Sequence, residues 1–254
     1  ALRGYAAGHL PLGNGYETMI FVAWCLSLLA LGIGRRFPIA AASGLLMSGF
    51  ALLVASLGMA NPQITPLVPV LRSPWLSLHV SLIMVSYALL GLLMLNGTAA
   101  LALAAAARAG TAERTSRTLA RLRLFGRLLL YPAVFLLTAG IFTGAVWANA
   151  SWGRYWGWDP KEVWALITLI VYALPLHEQS LARFRRPLFF HAYTLWAFAA
   201  VLMTYFGVNY FLGGMHSYGG GFRPGYAAAT VFAAVTAFAL LTVAALIRQR
   251  RMDT

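Results

Sequence analysis

Long apolar segments, separated by short polar or Pro/Gly-rich breaks, dominate the pattern of residues along the chain. A helix crosses a hydrocarbon core about 30 Å thick with roughly 20 residues. On this criterion we read seven spans, at residues 17–34, 38–60, 75–105, 128–148, 162–177, 187–211 and 226–247. The pattern predicts an all-α, polytopic transmembrane helical bundle that forms a single domain over residues 1–254.

The composition excludes a soluble globular protein. Of the 254 residues, 61% are apolar and 10% are charged, whereas an average soluble domain has about 45–50% and 25%. The single cysteine, Cys25, lies inside a predicted span, so the chain alone builds neither a disulfide framework nor a cysteine metal site. With only six acidic residues, a carboxylate-based hydrolase and a magnesium or calcium site are also disfavoured.

The net charge of +13 follows the predicted topology. Fourteen of the 19 basic residues fall in alternate loops, at 35–36, 108–127, 183–186 and 248–251. Because positively charged loops stay in the cytoplasm, we expect the N-terminus outside and the C-terminus in the cytoplasm. The charge is therefore interpreted as a topology signal, and no nucleic-acid partner is expected.

A predicted outer loop, residues 147–164, holds five of the eight tryptophans. A membrane-interface belt needs only one or two aromatic residues at a helix end. The higher density favours a surface for a large, flat, apolar ligand, because indoles combine wide apolar area with a polar N–H. Asp159 and Pro160 predict the N-cap and first position of the following helix.

Two histidines flank this loop in the sequence. His79 lies about one turn inside the third predicted span, and His216 lies in the outer loop after the sixth. Two imidazoles at the outer face suit the axial positions of a haem iron, with indoles against the porphyrin. Either histidine taken alone is more typical of a residue at the membrane interface, and it is the tryptophan-rich loop between them that favours the haem interpretation.

The other three histidines are less informative. His177 and His191 lie at the inner face, on either side of the basic turn 183–186, and an ionisable group within a span is a functional candidate by default. His9 belongs to an outer Pro/Gly-containing segment whose interpretation as a structural turn is about as good as a role in a site.

Residues 152–166, Trp-Gly-Arg-Tyr-Trp-Gly-Trp-Asp-Pro-Lys-Glu-Val-Trp-Ala-Leu, resemble the tryptophan-rich WWD signature of haem-handling membrane proteins of cytochrome c maturation. The residues after Asp-Pro are similar to the CcsA (ResC) branch of System II, whereas the CcmC and CcmF branches of System I differ there. Further stretches agree with the CcsA family, at residues 8–17, 75–80, 172–177, and 205–209 with 216–219.

The resemblance implies a protein of the bacterial inner membrane or the thylakoid membrane that carries haem b. Together with a CcsB (ResB)-type partner it would act as part of a cytochrome c synthase complex, handing haem to the Cys-x-x-Cys-His motifs of apocytochrome c outside the membrane. Family members usually carry one more N-terminal span. We therefore expect that an N-terminal span is missing from this chain, which begins at Ala1.

The resemblance also implies roles for individual residues. His79 and His216 correspond to the two outer ligands of the haem iron, and His177 to the ligand of an inner site completed by the CcsB-type part. A His177–His191 pair is the alternative for the inner site. The remaining expected contacts of the haem are Trp147, Trp152, Trp156, Trp158 and Asp159, with Arg154 or Lys161 available to the propionates.

Three other functions remain open from the sequence. A haem exporter or chaperone of the CcmC type would hand haem to another carrier without attaching it. A cytochrome b-type electron-transfer subunit would hold haem permanently, but it needs histidines paired on two helices. A plain transporter with an aromatic vestibule would need no haem at all.

Overall fold

The computed structural model describes residues 2–8, 10, 12–56, 62–64, 72–212, 214–215 and 225–253, and over these residues the fold is all-α. The helices are α1 (Leu2–Ala7), α2 (Gly15–Ile33), α3 (Pro38–Ser56), α4 (Pro74–Ala106), α5 (Ala112–Trp152), α6 (Pro160–Ala173), α7 (Pro187–Leu202), α8 (Val208–Phe211) and α9 (Gly225–Asp253). A short 3-10 turn, Leu174–His177, continues α6, and a π-helical turn, Met203–Gly207, joins α7 to α8. The predicted all-α membrane bundle is confirmed.

Helix α4 forms the centre of the bundle. It packs against α2, α3, α5, α7 and α9. Its residues Leu90, Leu93 and Leu101 are fully buried, as are Leu130 and Leu137 on the neighbouring α5. An apolar helix without a polar face is expected in such a central position, because neighbouring helices cover it on all sides.

Among the residues that the structure describes, five helical segments are long and apolar enough to cross a membrane. They are Gly15–Ile33, Pro74–Ala106, Ala112–Trp152, Pro187–Gly207 and Phe232–Arg250. Two further predicted spans correspond to shorter elements, since α3 is counted as a shorter apolar helix over Ala41–Ser56 and α6 has 14 residues. Seven spans and the sidedness of the termini therefore remain predictions.

Helix α5 is longer than the sequence pattern predicted. The basic segment 108–127 was expected to be an inner loop, but it is helical from Ala112 onwards. Its 41 residues make a helix about 60 Å long at 1.5 Å per residue. Since this is about twice the thickness of a hydrocarbon core, α5 extends well beyond the membrane at one end.

The bundle has two chemically different ends. At one end, the first turns of α2, α4 and α6 lie near the ends of α5 and α8. We call this the aromatic end. Here Oγ1 of Thr18, on α2, lies 2.6 Å from the hydroxyl of Tyr205. The opposite, basic end is formed by the end of α4, the start of α5 and the turn at 174–186. Here Arg248 of α9 donates to the backbone carbonyl of Ala107. Helix α2 thus begins at the aromatic end, and α9 ends at the basic end.

Ion pairs hold the turn at the basic end. Arg123 and Arg127 of α5 both pair with the carboxylate of Glu178. Arg123 also donates from Nε to the carbonyl oxygen of Phe184, at 2.9 Å. Since both partners of Glu178 are partly buried, these pairs are less screened by solvent than surface pairs.

Candidate functional site at the aromatic end

His79 lies in the second turn of α4, with its ring against α5. Its Nδ1 is 2.6 Å from the backbone carbonyl oxygen of Gly140. A carbonyl oxygen only accepts hydrogen bonds, so Nδ1 of His79 is the donor of this bond and carries a proton. A metal-binding histidine usually has its other ring nitrogen held in this way, because the bond fixes both the tautomer and the ring orientation.

Glycine at position 144 makes the close approach of His79 possible. A Cβ atom at Gly144 would lie 2.6 Å from Nδ1 and 2.7 Å from Cε1 of His79. Such distances are too short for a real contact, so any larger residue would displace the imidazole. The position of His79 therefore depends on two features of α5, namely the carbonyl of Gly140 and the missing side chain of Gly144.

The irregular part of the tryptophan-rich segment is shorter than the predicted loop 147–164. Helix α5 continues through Trp152 and ends at Gly153, whose φ of 74° is left-handed and suits glycine. Helix α6 begins at Pro160 with Asp159 as its N-cap, which confirms the predicted helix start. Only residues 153–159, which we call the aromatic loop, lie between the two helices.

The tryptophans of this region differ strongly in exposure. Trp147 is only 1% exposed, and its ring lies edge-on to that of Trp152 at 4.7 Å between centroids. Trp158 is 73% exposed, and Trp156 is half-buried with its ring edge-on to Trp158 at 5.9 Å. Trp147 therefore belongs to the packed interior, while Trp156 and Trp158 form an aromatic surface on the loop.

The buried carboxylate of Asp159 connects two segments. Its Oδ1 accepts from the backbone N–H of Lys161 at 3.0 Å and caps α6. Its Oδ2 accepts from the backbone N–H of Met215 at 2.7 Å. Asp159 thus ties the aromatic loop to the chain that follows α8, at the residue directly before His216 in the sequence.

Two cations lie in or beside the aromatic loop. Lys161, in the first turn of α6, donates from Nζ to Oδ1 of Asn209 at 2.7 Å. Burial lowers the pKa of Lys161 to about 8, although the charge of Asp159 acts in the opposite direction. Arg154 is exposed on the loop, with Nη2 3.3 Å from Sδ of Met215. Both are placed to attract an anionic group at this surface.

The other predicted histidines lie elsewhere. His216 and His9 are outside the described residues, so the approach of His216 to His79 remains a prediction. His177 is exposed at the basic end, and its Nδ1 is 2.9 Å from the carbonyl oxygen of Ala173. His191 is fully buried, with Nε2 3.3 Å from the carbonyl oxygen of Leu119.

Comparison with known proteins assigns the chain to a family. The model of the family described as "Cytochrome C assembly protein" matches residues 12–216. The chain belongs to the cytochrome c assembly family. The matched region includes His79, the aromatic loop and His177, and it ends at His216.

Named relatives agree with this family. The chain is 42% identical over 220 residues to "Protein NrfI" of Wolinella succinogenes, with 87% of this chain and 24% of that protein covered. It is 37% identical to proteins named "Cytochrome c biogenesis protein CcsA" from Chlamydomonas reinhardtii and from a Synechococcus strain, which cover 86% of this chain and 63% and 79% of their own lengths. The chain therefore spans about a quarter of the first relative and just under two thirds of the second.

Some residues that shape the site in this family member were not recognised from the sequence. Gly140 and Gly144 gave no local signal, because their role depends on which face of α5 meets α4. Asn209 likewise meets Lys161 only through folding. Glu162 did carry a signal, since an acid three residues after an Asp N-cap is typical of a capping box, and both of its bonds are present.

Proposed function

We propose that this chain binds haem b at its aromatic end and presents it to the Cys-x-x-Cys-His motifs of apocytochrome c. It would do so as part of a cytochrome c synthase complex with a CcsB-type partner, in a bacterial inner or thylakoid membrane. The observation that carries the proposal is the bond from Nδ1 of His79 to the carbonyl of Gly140, because a bond of this kind fixes the ring of a metal-binding histidine and makes Nε2 the nitrogen that would meet iron. Membership of the cytochrome c assembly family and relatives named for cytochrome c biogenesis support it.

Each residue of the site has a definite role in this proposal. His79 and His216 would be the two histidines that hold the haem iron. The rings of Trp156 and Trp158 pack on the porphyrin, while the buried Trp147 and the adjoining Trp152 form the support behind them. The propionates are received by Arg154 and Lys161; Arg154 in particular has the planar fork that matches a carboxylate. Asp159 acts through the backbone, by holding the segment next to His216.

Attachment of haem to the apocytochrome depends more on the positions of the reacting groups than on an acid or a base. In thioether formation a cysteine sulfur bonds to one carbon of a haem vinyl group, and the thiol hydrogen goes to the other carbon, so nothing is oxidised or reduced. Holding the vinyl groups and the two thiols in register makes the reaction effectively intramolecular. The protein therefore contributes orientation and exclusion of water, and the reactive group belongs to the haem.

A second haem position at the basic end is part of the proposal. His177 is exposed there and has its Nδ1 against the carbonyl of Ala173, so it too has Nε2 as its ligating nitrogen. The exposed Arg183 and Arg186 are available to propionates. We assign the second ligand to the partner chain, because His191 is fully buried between the helices, with its Nε2 against the carbonyl of Leu119. Haem would pass from this position to the aromatic end.

The test is to produce the chain with a CcsB-type partner and an apocytochrome c reporter, and to compare it with His79→Ala and His216→Ala. We expect a bis-histidine absorption spectrum and mature cytochrome c from the unmodified chain. Both variants should lose maturation, and added imidazole should restore part of it to each by filling the vacant axial position.

The other outcomes each contradict part of the proposal. If haem is absent from the complex under all conditions, the haem-binding function is wrong. If haem is bound but only transferred to a separate carrier, the chain is an exporter of the CcmC type. If haem stays bound and cycles between redox states without transfer, the chain is an electron-transfer subunit.

A further inference from the structure

Trp158 has a backbone conformation that a tryptophan rarely adopts. Its φ is 56°, and it is the one residue other than glycine with a positive φ in the part of the chain that the structure describes. In this left-handed region the Cβ atom crowds the following carbonyl oxygen, so glycine or asparagine is the usual occupant. Residues kept in such conformations are concentrated at functional sites, where the surrounding structure holds them.

A single carboxylate oxygen holds the backbone on both sides of Trp158. Oε2 of Glu162 accepts from the N–H of Gly157 at 2.8 Å and from the N–H of Asp159 at 3.1 Å. The two donors belong to the residues directly before and after Trp158. Any change of the Trp158 backbone toward an ordinary conformation would rotate these N–H groups apart and break at least one of the bonds.

The two bonds to Oε2 of Glu162, which we call the clamp, start from a rigid helix end. Glu162 is in the first turn of α6, and the buried side chain of Asp159 completes the reciprocal capping box. From the other side the guanidinium of Arg154 packs close to Gly157, since a Cβ atom there would lie 3.0 Å from Nε. The clamp is therefore anchored in a helix, while the indole that it directs is 73% exposed.

We propose that Glu162 is a positioning residue for Trp158, which keeps the Trp158 backbone left-handed so that the indole projects from the aromatic loop toward the ligand. The proposal rests on the proposed function, in which this loop receives haem. Glu162 acts only on the backbone and does not touch the ligand. An ordinary capping residue would stabilise α6 equally well without determining the direction of a neighbouring side chain.

The experiment uses the full chain with its partner subunit, labelled with 5-fluorotryptophan and observed by 19F NMR. The Trp158 resonance is assigned with Trp158→Phe. Glu162→Met keeps the side-chain length without the acceptor, and Glu162→Gln keeps an acceptor oxygen. Glu113→Met is the matched control, because Glu113 is an exposed carboxylate paired with Arg117 in the first turns of α5, at the basic end.

We expect Glu162→Met to shift and narrow the Trp158 resonance while the resonances of the six tryptophans outside the aromatic loop stay in place. Its affinity for added ferric haem should fall about tenfold, which is the size of one lost contact. Glu162→Gln should keep the resonance and hold the affinity within about twofold of the unmodified chain, and Glu113→Met should change neither.

Two results would overturn the proposal. One is a Trp158 resonance that does not respond to Glu162→Met, and the other is a shifted resonance with unchanged haem affinity, which would make Trp158 a membrane-interface anchor. Hydrogen exchange of the unmodified chain gives a check that needs no variant, because the amides of Gly157 and Asp159 must be protected. If no haem binds to any form, the proposed function fails, while the NMR result still decides whether Glu162 positions Trp158.

Discussion

Nδ1 of His79 on α4 donates to the carbonyl oxygen of Gly140 on α5 across 2.6 Å, at the end of the bundle where the aromatic loop begins. The bond lies between two neighbouring antiparallel helices whose facing residues continue in register, with Ser86 Oγ donating to the carbonyl of Ala133 at 2.8 Å further along. The imidazole is therefore oriented by the packing of two helices and does not depend on a loop.

This relationship makes Gly144→Ala an informative change. The new methyl would lie 2.6 Å from His79 Nδ1, so the ring must move. We expect the haem affinity to fall about tenfold or more, with a change from a bis-histidine to a high-spin absorption spectrum. The control is Gly49→Ala on α3, where nothing lies within 4 Å of the added methyl. If Gly144→Ala bound haem with the spectrum of the unmodified chain, the orientation of His79 would not matter for ligation.

Truncating two tryptophans of the same segment should have different effects: a loss of stability for Trp147 and a loss of haem affinity for Trp158. Trp147→Ala removes a fully buried ring, so we expect the free energy of unfolding to fall by about 3–5 kcal/mol. Trp158→Ala removes an exposed ring, so stability should change by less than about 1 kcal/mol, while haem affinity falls. Thermal unfolding in detergent and haem titration measure the two effects. Equal losses of stability would contradict the distinction between packed interior and binding surface.

The lowered pKa of Lys161 predicts a pH dependence of haem binding. With a pKa of about 8 the amine is mostly charged at pH 7 and loses its proton as the pH rises through 8. A bound propionate stabilises the charged form and raises this pKa, so the affinity for haem should decrease above pH 8 and change little below pH 7.

Two variants isolate this contribution in haem titrations from pH 6.5 to 9.5. Lys161→Arg keeps its charge throughout, because arginine does not lose its proton in this range. Its affinity should stay high above pH 8. Lys161→Met should bind weakly at every pH, without a step near 8. A step of the same size in Lys161→Met would assign the titration to another group.

Replacing the two histidines at the basic end should affect different properties: the stability of the protein for His191 and its haem content for His177. His191 is fully buried with its Nε2 against the carbonyl of Leu119, so His191→Ala should lower the free energy of unfolding by about 2 kcal/mol. His177 is exposed, and His177→Ala should change stability by less than about 0.5 kcal/mol. In the presence of the partner subunit, we expect His177→Ala alone to lower the haem bound at the inner position. Equal loss of haem in both variants would favour the His177–His191 pair.

The sequence alone was sufficient to predict the class of fold and the kind of residues that form the candidate site. Long apolar segments cannot be buried in a soluble domain of this size, so a helical membrane bundle followed directly from composition and spacing. The start of α6 at Asp159-Pro160 was also predictable, because a helix N-cap depends on residues that are neighbours in the chain. The same is true of the concentration of tryptophans around residues 147–164.

Tertiary structure decided which of these residues face a ligand and which are interior. Trp147 and Trp158 belong to the same sequence signature, yet one is buried by α5 packing and the other is exposed by a left-handed backbone. The bond from His79 to Gly140 joins residues 61 positions apart, and no local pattern records that pairing. The extension of α5 through the basic segment was missed for a related reason. Charged residues there were interpreted as a loop between spans, whereas a helix that leaves the membrane keeps its backbone hydrogen bonds and exposes the same charges to water.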